Sequence, residues 1–94
     1  MGNAVKVGDI GTDHDGFPPT AITAGSNTVK VDGIPAARKG DPLDAHNKPK
    51  HPLHPRTITG GSSSVFIDGK SAARSGDAVD CGGVLLGGGT INIG

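Results

Sequence analysis

The chain has 94 residues with nine Lys+Arg against nine Asp+Glu, a formal net charge of zero and no block of like charges; this is the size of one small domain and gives no basic face for nucleic acid. Only 33% of the residues are hydrophobic, the sole aromatics are two Phe, and 17 glycines raise the entropy that folding must overcome. So thin a core calls for a staple, and because Cys81 is the single cysteine an intrachain disulfide is excluded, leaving a metal or a partner surface.

In chain order, Asn3 to His14 reads NAVKVGDIGTDH, a small-residue segment, a Gly8-Asp9 turn signal and a loop that ends on a histidine. The loop 13–19, DHDGFPP, follows. Residues 20–24, TAITA, are expected to be a short strand. Gly25 to His46, GSNTVKVDGIPAARKGDPLDAH, then gives a β-branched strand at 28–31, an Asp32-Gly33 tight turn, a small-residue strand, the pair Gly40-Asp41 and His46. A long loop, NKPKHPLHPR, carries His51 and His54 and is stiffened by Pro49, Pro52 and Pro55. The strand at 57–59 leads into Gly61 to Cys81, GSSSVFIDGKSAARSGDAVDC, which repeats the layout of 25–46. Val84 to Leu86 and Gly87 to Gly94, GGGTINIG, end the chain.

One unit is therefore written three times. Two copies are whole, the second and third in chain order; the other, which opens the chain, is split, with its earlier part at 87–94 and its later part at 3–14. The simplest object that satisfies this is closed and three-fold, its first and last strands completing one unit together. Ile22, Ile58 and Val84 align, each six residues before Thr28, Ser64 and Thr90. The strand alternation puts Val29/Val31, Val65/Ile67 and Ile91/Ile93 on the shared core and turns Lys30, Phe66 and Asn92 away. Arg38 and Arg74 are spaced to pair with Asp41 and Asp77. No segment has helical periodicity, so the expected fold is all-β, a pseudo-three-fold arrangement of short hairpins.

The repeat also aligns metal-binding side chains. His14 lies five residues after Asp9, His46 five after Asp41, and Cys81 four after Asp77. Equivalent places in a three-fold object converge on its axis, which gives three ligands. Tetrahedral zinc needs four, and the loop with His51 and His54 has the length to supply the other. Structural zinc contributes roughly 10–16 kcal/mol of binding energy that becomes folding energy. That matches the whole stability of an ordinary domain, about 5–15 kcal/mol.

The segment Ile34-Pro35-Ala36-Ala37-Arg38, echoed by Ser71-Ala72-Ala73-Arg74 within the same Gly-Asp and V-x-V/I-D-G framework and followed by Cys81-Gly82-Gly83, resembles the PAAR-repeat family over residues 3–94. The resemblance implies a small cone of β-hairpins that caps the blunt end of a trimeric β-helical spike, in type VI secretion systems and contractile phage tails. It implies one structural zinc near the vertex, held by His14, His46, His54 and Cys81. His51 is the alternative to His54, which is preferred because it closes the loop just before the next strand. It implies a bare tip, one domain over 1–94 without a fused effector, assembled in the cytoplasm and ejected with the spike into a target envelope, or carried on a phage baseplate. Effectors recruited non-covalently are compatible with it. The sequence departs from the family pattern at Ser71 and at Ala4-Val5-Lys6. No signal peptide is recognised and no apolar run approaches a membrane span. The competing readings are a zinc-stapled binding module with some other partner, and a zinc hydrolase or nuclease, which would need three protein ligands and an open position for water.

Overall fold

The computed structural model describes residues 2–13 and 15–94. They form eleven short strands: β1 (Gly2–Asn3), β2 (Ile10–Gly11), β3 (Thr20–Ala21), β4 (Lys30–Val31), β5 (Ile34–Pro35), β6 (Pro42–His46), β7 (His54–Thr57), β8 (Phe66–Ile67), β9 (Lys70–Ser71), β10 (Leu85–Leu86) and β11 (Asn92–Ile93). The described residues contain no helix. The molecule measures 39 × 23 × 22 Å, and its two nearly equal short dimensions suit a three-fold about the long one.

One half of the molecule is built from three equivalent antiparallel hairpins, β4–β5, β8–β9 and β11–β1. The third joins the two ends of the chain, pairing Gly2 with Ile93 and Asn3 with Asn92, so the split unit is completed as expected. Asp32 and Gly33 have φ of 52° and 80°, Asp68 and Gly69 of 53° and 79°. Two successive positive φ angles are what a two-residue type I′ hairpin turn requires, which is why Asp-Gly stands there.

Each hairpin runs into a small-residue strand, and these three strands pair cyclically: Lys6 with Ala36, Arg38 with Ala72, Arg74 with Ala4. The close approach suits the side chains. Ala4, Ala36 and Ala72 pack in one core layer with Val31, Ile67 and Ile93; Val5, Ala37 and Ala73 belong to the next, with Ile22, Leu43, Ile58, Val79 and Leu85. Each small-residue strand ends in the same turn. Asp9 N–H donates to Lys6 O, Asp41 to Arg38 and Asp77 to Arg74, all at 3.0 Å. The glycine before each Asp has φ of 95°, 94° and 93°, the left-handed position of a type II turn. Each carboxylate bonds back to the N–H of the residue three before it, at 3.0, 2.7 and 2.7 Å, and pairs with its side chain. The expected Arg38–Asp41 and Arg74–Asp77 pairs form, and Lys6–Asp9 completes the set.

The other half is a closed ring. β2–β3, β6–β7 and the turn that joins Ala78 to Val84 make three hairpins. Ile22 bridges to Leu43, Ile58 to Val79, and Leu85 pairs with Gly11, so every hairpin is bonded to the next. This corrects the sequence alignment: the equivalent of Ile22 and Ile58 is Leu85, not Val84. Leu85 is fully buried while Val84 is exposed. Leu85 N–H donates to Asp77 O as Ile22 does to Asp9 and Ile58 to Asp41. The glycine linker 87–89 is one residue shorter than its counterparts, which shifted the count.

A second correction concerns the strands at 28–31, 64–67 and 90–93. Val31, Ile67 and Ile93 are buried as expected, and Lys30, Phe66 and Asn92 are exposed. Val29, Val65 and Ile91, however, are exposed. The N–H groups of Thr28 and Val29 both donate to Ser26 Oγ, and those of Ser64 and Val65 to Ser62 Oγ. The chain curls over a buried serine there, and the alternation begins one residue later.

Neighbouring units are latched at this level too. Ser26 and Thr28 donate to the Asp68 carboxylate, Thr90 to Asp32, and Ser62 to Gly94 O. Bonds from Ser26 and Thr28, and then the charge of Arg38, lower the Asp68 pKa below its usual value. A depressed carboxylate supplies stability that is fully present above its unfolded pKa, about 3.9, and is lost as pH falls through the lower folded value. Asp68→Asn is therefore expected to be less stable than wild type at neutral pH and to lose less stability on acidification below about pH 4. Denaturation midpoints across that range check this; an acid slope equal to wild type would show that the latch contributes nothing.

Candidate metal centre

β6 runs Pro42–His46 and β7 runs His54–Thr57. His46 and His54 are direct cross-strand partners, beyond a register shift that follows Leu43. The loop between them turns at Lys48–His51, where His51 N–H donates to Lys48 O and Lys50 adopts φ of 68°. Cross-strand pairing thus brings His54, and not His51, beside His46. Cys81 arrives from the third unit on a shorter turn, in which Gly82 N–H donates to Val79 O.

His46, His54 and Cys81 form a group that can hold a metal ion, with ligand atoms all within 4.8 Å of one another. His46 is buried and the other two are half-buried. The Nδ1 of His46 lies 2.7 Å from Pro18 O. A carbonyl only accepts, so Nδ1 carries the hydrogen and Nε2 presents its lone pair, 3.6 Å from Cys81 Sγ. His54 Nδ1 sits 3.1 Å from Pro55 O and is oriented in the same way. Tetrahedral zinc with bonds of about 2.0–2.3 Å separates its ligand atoms by roughly 3.3–3.8 Å, and the His46–Cys81 spacing falls in that range. His14, the remaining expected ligand, lies outside the described residues. His51 is exposed and stands outside the group.

Phe17 closes one side of the site. Its ring centroid is 5.0 Å from that of His46, 4.5 Å from His54 and 5.7 Å from His51, and Lys48 Nζ lies over the ring, 4.8 Å from its centroid. One of only two aromatics in the chain is thus spent on fixing imidazoles rather than on the core.

Sequence reasoning missed Arg56. It is 1% exposed, the largest fully buried side chain among the described residues. All five guanidinium N–H groups are used. Nε donates to Cys81 Sγ at 3.3 Å, Nη1 to Gly11 O at 3.0 Å and Thr20 Oγ1 at 3.1 Å, and Nη2 to Thr12 O at 2.7 Å and Gly82 O at 3.2 Å. None of these partners is a carboxylate. The equivalents of Arg56, two residues before Ile22 and Leu85, are Thr20 and Gly83. Both lie against the guanidinium: Thr20 accepts from it, and a Cβ on Gly83 would meet Nη2 at 3.2 Å and Thr12 O at 2.6 Å. Gly11 stands where the other units have Leu43 and Val79, and a Cβ there would meet Nη1 at 3.2 Å. One long side chain from one unit therefore fills a place that the other two keep small. That contrast was the available signal.

Gly83→Ala and Gly33→Ala separate this packing from backbone strain. Both glycines have φ near +80°, but a Cβ on Gly33 meets nothing within 4 Å. Gly33→Ala is expected to cost about 1 kcal/mol, hence about 4–8 °C in Tm, and Gly83→Ala distinctly more. Equal losses in thermal melts would mean that the close approach at Gly83 is not felt.

No curated protein sequence matches the chain. The family model described as PAAR motif matches residues 8–87, from the first Gly-Asp turn to the glycine linker that leads into the final strand. The match spans the three Gly-Asp turns, the small-residue strands of the two whole units and the loops that carry His46, His54 and Cys81, and by it the chain belongs to the PAAR motif family.

Proposed function

We propose that this protein is a structural tip that caps a trimeric β-helical spike and sharpens it for envelope piercing by a contractile injection machine. The observation that carries the reading is the internal three-fold. Three sequence-different units repeat the same turns, bridges and latches, so each can meet one subunit of a three-fold partner through an equivalent surface. Val29, Val65 and Ile91 occupy equivalent places and are 40%, 38% and 47% exposed, offering the same apolar contact three times. Edge backbone in the hairpins beside them is suited to extending a partner's β-structure. One chain would bind one trimer.

The metal in this reading is one structural Zn²⁺, with His14 joining His46, His54 and Cys81. The donor set fits: two histidines already hold their Nδ1 hydrogens on carbonyls, and the set of three imidazoles and a thiolate favours zinc. The ion would cross-link the loops of all three units. Four protein ligands would complete its coordination and leave its role mechanical.

Metal analysis by mass spectrometry on wild type beside Cys81→Ser tests the staple. One zinc per chain is expected in wild type, lost or loosened in the variant, together with a Tm drop of at least about 10 °C, the effect of a few kcal/mol in a domain this size. Well-folded wild type without metal would overturn the ligand set.

The partner is tested by mixing the chain with the trimeric spike protein encoded in the same genome and measuring the mass of the complex by light scattering. A complex of one chain and three spike subunits is expected, and Val65→Glu should weaken it while leaving the zinc content unchanged. Failure of the two proteins to associate would leave a zinc-stapled module with another partner.

A further inference from the structure

We propose that Arg56 pre-assembles the metal centre, holding the three vertex loops in their binding arrangement before any ion arrives and hydrogen-bonding the Cys81 sulfur that becomes a ligand. The inference rests on the reading of His46, His54 and Cys81 as metal ligands.

Arg56 ties all three units together beside the cluster. It stands on β7 of the second unit, two residues after His54. Its bonds to Gly11 O, Thr12 O and Thr20 Oγ1 hold the loop that leads to His14 and the strand that follows it. Its bonds to Gly82 O and Cys81 Sγ hold the turn of the third unit. Val84 N–H donates to Thr12 Oγ1, so the first and third loops are also bonded directly to each other.

Burying a cation without a carboxylate is costly unless each donor is matched, and here each is. The planar fork is what allows it: five acceptors from the two other units are ordered by one rigid group. Every partner in those bonds belongs to the protein, so the chain's own side chain can meet the ordering cost of the loops and leave it uncharged to ion binding. A bound ion would hold Cys81 as the thiolate, and the Nε–H bond would then join a cation to an anionic sulfur and be stronger. Outer partners of this kind typically change metal affinity by 10–100-fold when removed.

The test compares wild type, Arg56→Lys and Arg56→Met. Zinc affinity is measured by chelator competition, the sulfur-to-cobalt charge-transfer band of the Co²⁺ form is recorded, and hydrogen exchange is followed in the metal-free proteins. Arg56→Met is expected to lower zinc affinity at least tenfold and to move the charge-transfer band to lower energy, because the sulfur loses its donor. Arg56→Lys keeps the charge but not the fork, and is expected to restore little of the affinity. Metal-free wild type should protect the amides of Thr12, Gly82 and Val84. Affinity within twofold of wild type in a folded Arg56→Met, or full rescue by Lys, would overturn the proposal. Should Arg56→Met not fold, unprotected vertex amides in metal-free wild type would overturn it just as well. Wild type that binds neither zinc nor Co²⁺ would sink the metal centre and this proposal with it. Normal metal binding that ignores Arg56 would sink the proposal alone.

Discussion

The pairing of Gly2–Asn3 with Asn92–Ile93 is the contact on which the rest of the structure depends. It turns a row of repeats into a closed object. Without it the split unit would lose its hairpin, both chain ends would present open edges, and the cyclic bridges among residues 4–6, 36–38 and 72–74 would stand on two hairpins in place of three. With it, every unit has two neighbours. Each apolar face is then covered by the unit beside it, and none has to be covered by mass that a chain with 33% hydrophobic residues does not have.

Closure also explains the composition. Three strands that approach one another around an axis leave room for little, and the inward positions are Ala4, Ala36 and Ala72, then Val5, Ala37 and Ala73. Larger side chains would force the strands apart and break the bridges. The scarcity of aromatics follows from a narrow interior. The load moves to polar devices that repeat at each unit: a type II turn whose carboxylate is bonded to backbone and to a cation, and a serine or threonine that latches to the next unit. These pairs are well sheltered, with Asp41 only 5% exposed in its side chain, so they hold geometry better than surface ion pairs do.

Much of this was legible in the sequence because it is local or repeated. Asp-Gly forces a tight turn, Gly-Asp a second kind, and the offset of the repeat against the chain ends implies closure. The parts that were misread are those where one residue changes the count. The shorter glycine linker moved the aligned position from Val84 to Leu85, and the buried Ser26 and Ser62 delayed the strand alternation by one residue. His54 opens β7 and pairs across the strands with His46, a contact between residues eight apart that rests on the register of the hairpin. Arg56 and Phe17 were not legible as site residues. Their roles arise from convergence of loops distant in sequence, and nothing local marks an arginine as buried.

Arg56 nonetheless points to a general property of such an object. A three-fold repeat cannot be strictly repeated at its own axis, because three equal side chains cannot occupy one place. Along the walls the units agree: Gly8, Gly40 and Gly76 share one φ, and Lys6, Arg38 and Arg74 share one partner geometry. Around the axis Ala4, Ala36 and Ala72 agree as well, but in the loops that meet at Arg56 the units diverge. Arg56 is set against Thr20 and Gly83, Leu43 and Val79 against Gly11, and histidine in one loop against cysteine in another. Departure from the repeat is thus a positional signal. In a chain whose copies otherwise match, the residues that break the pattern while being buried are the ones that meet at the centre, and there the chemistry of the molecule is concentrated.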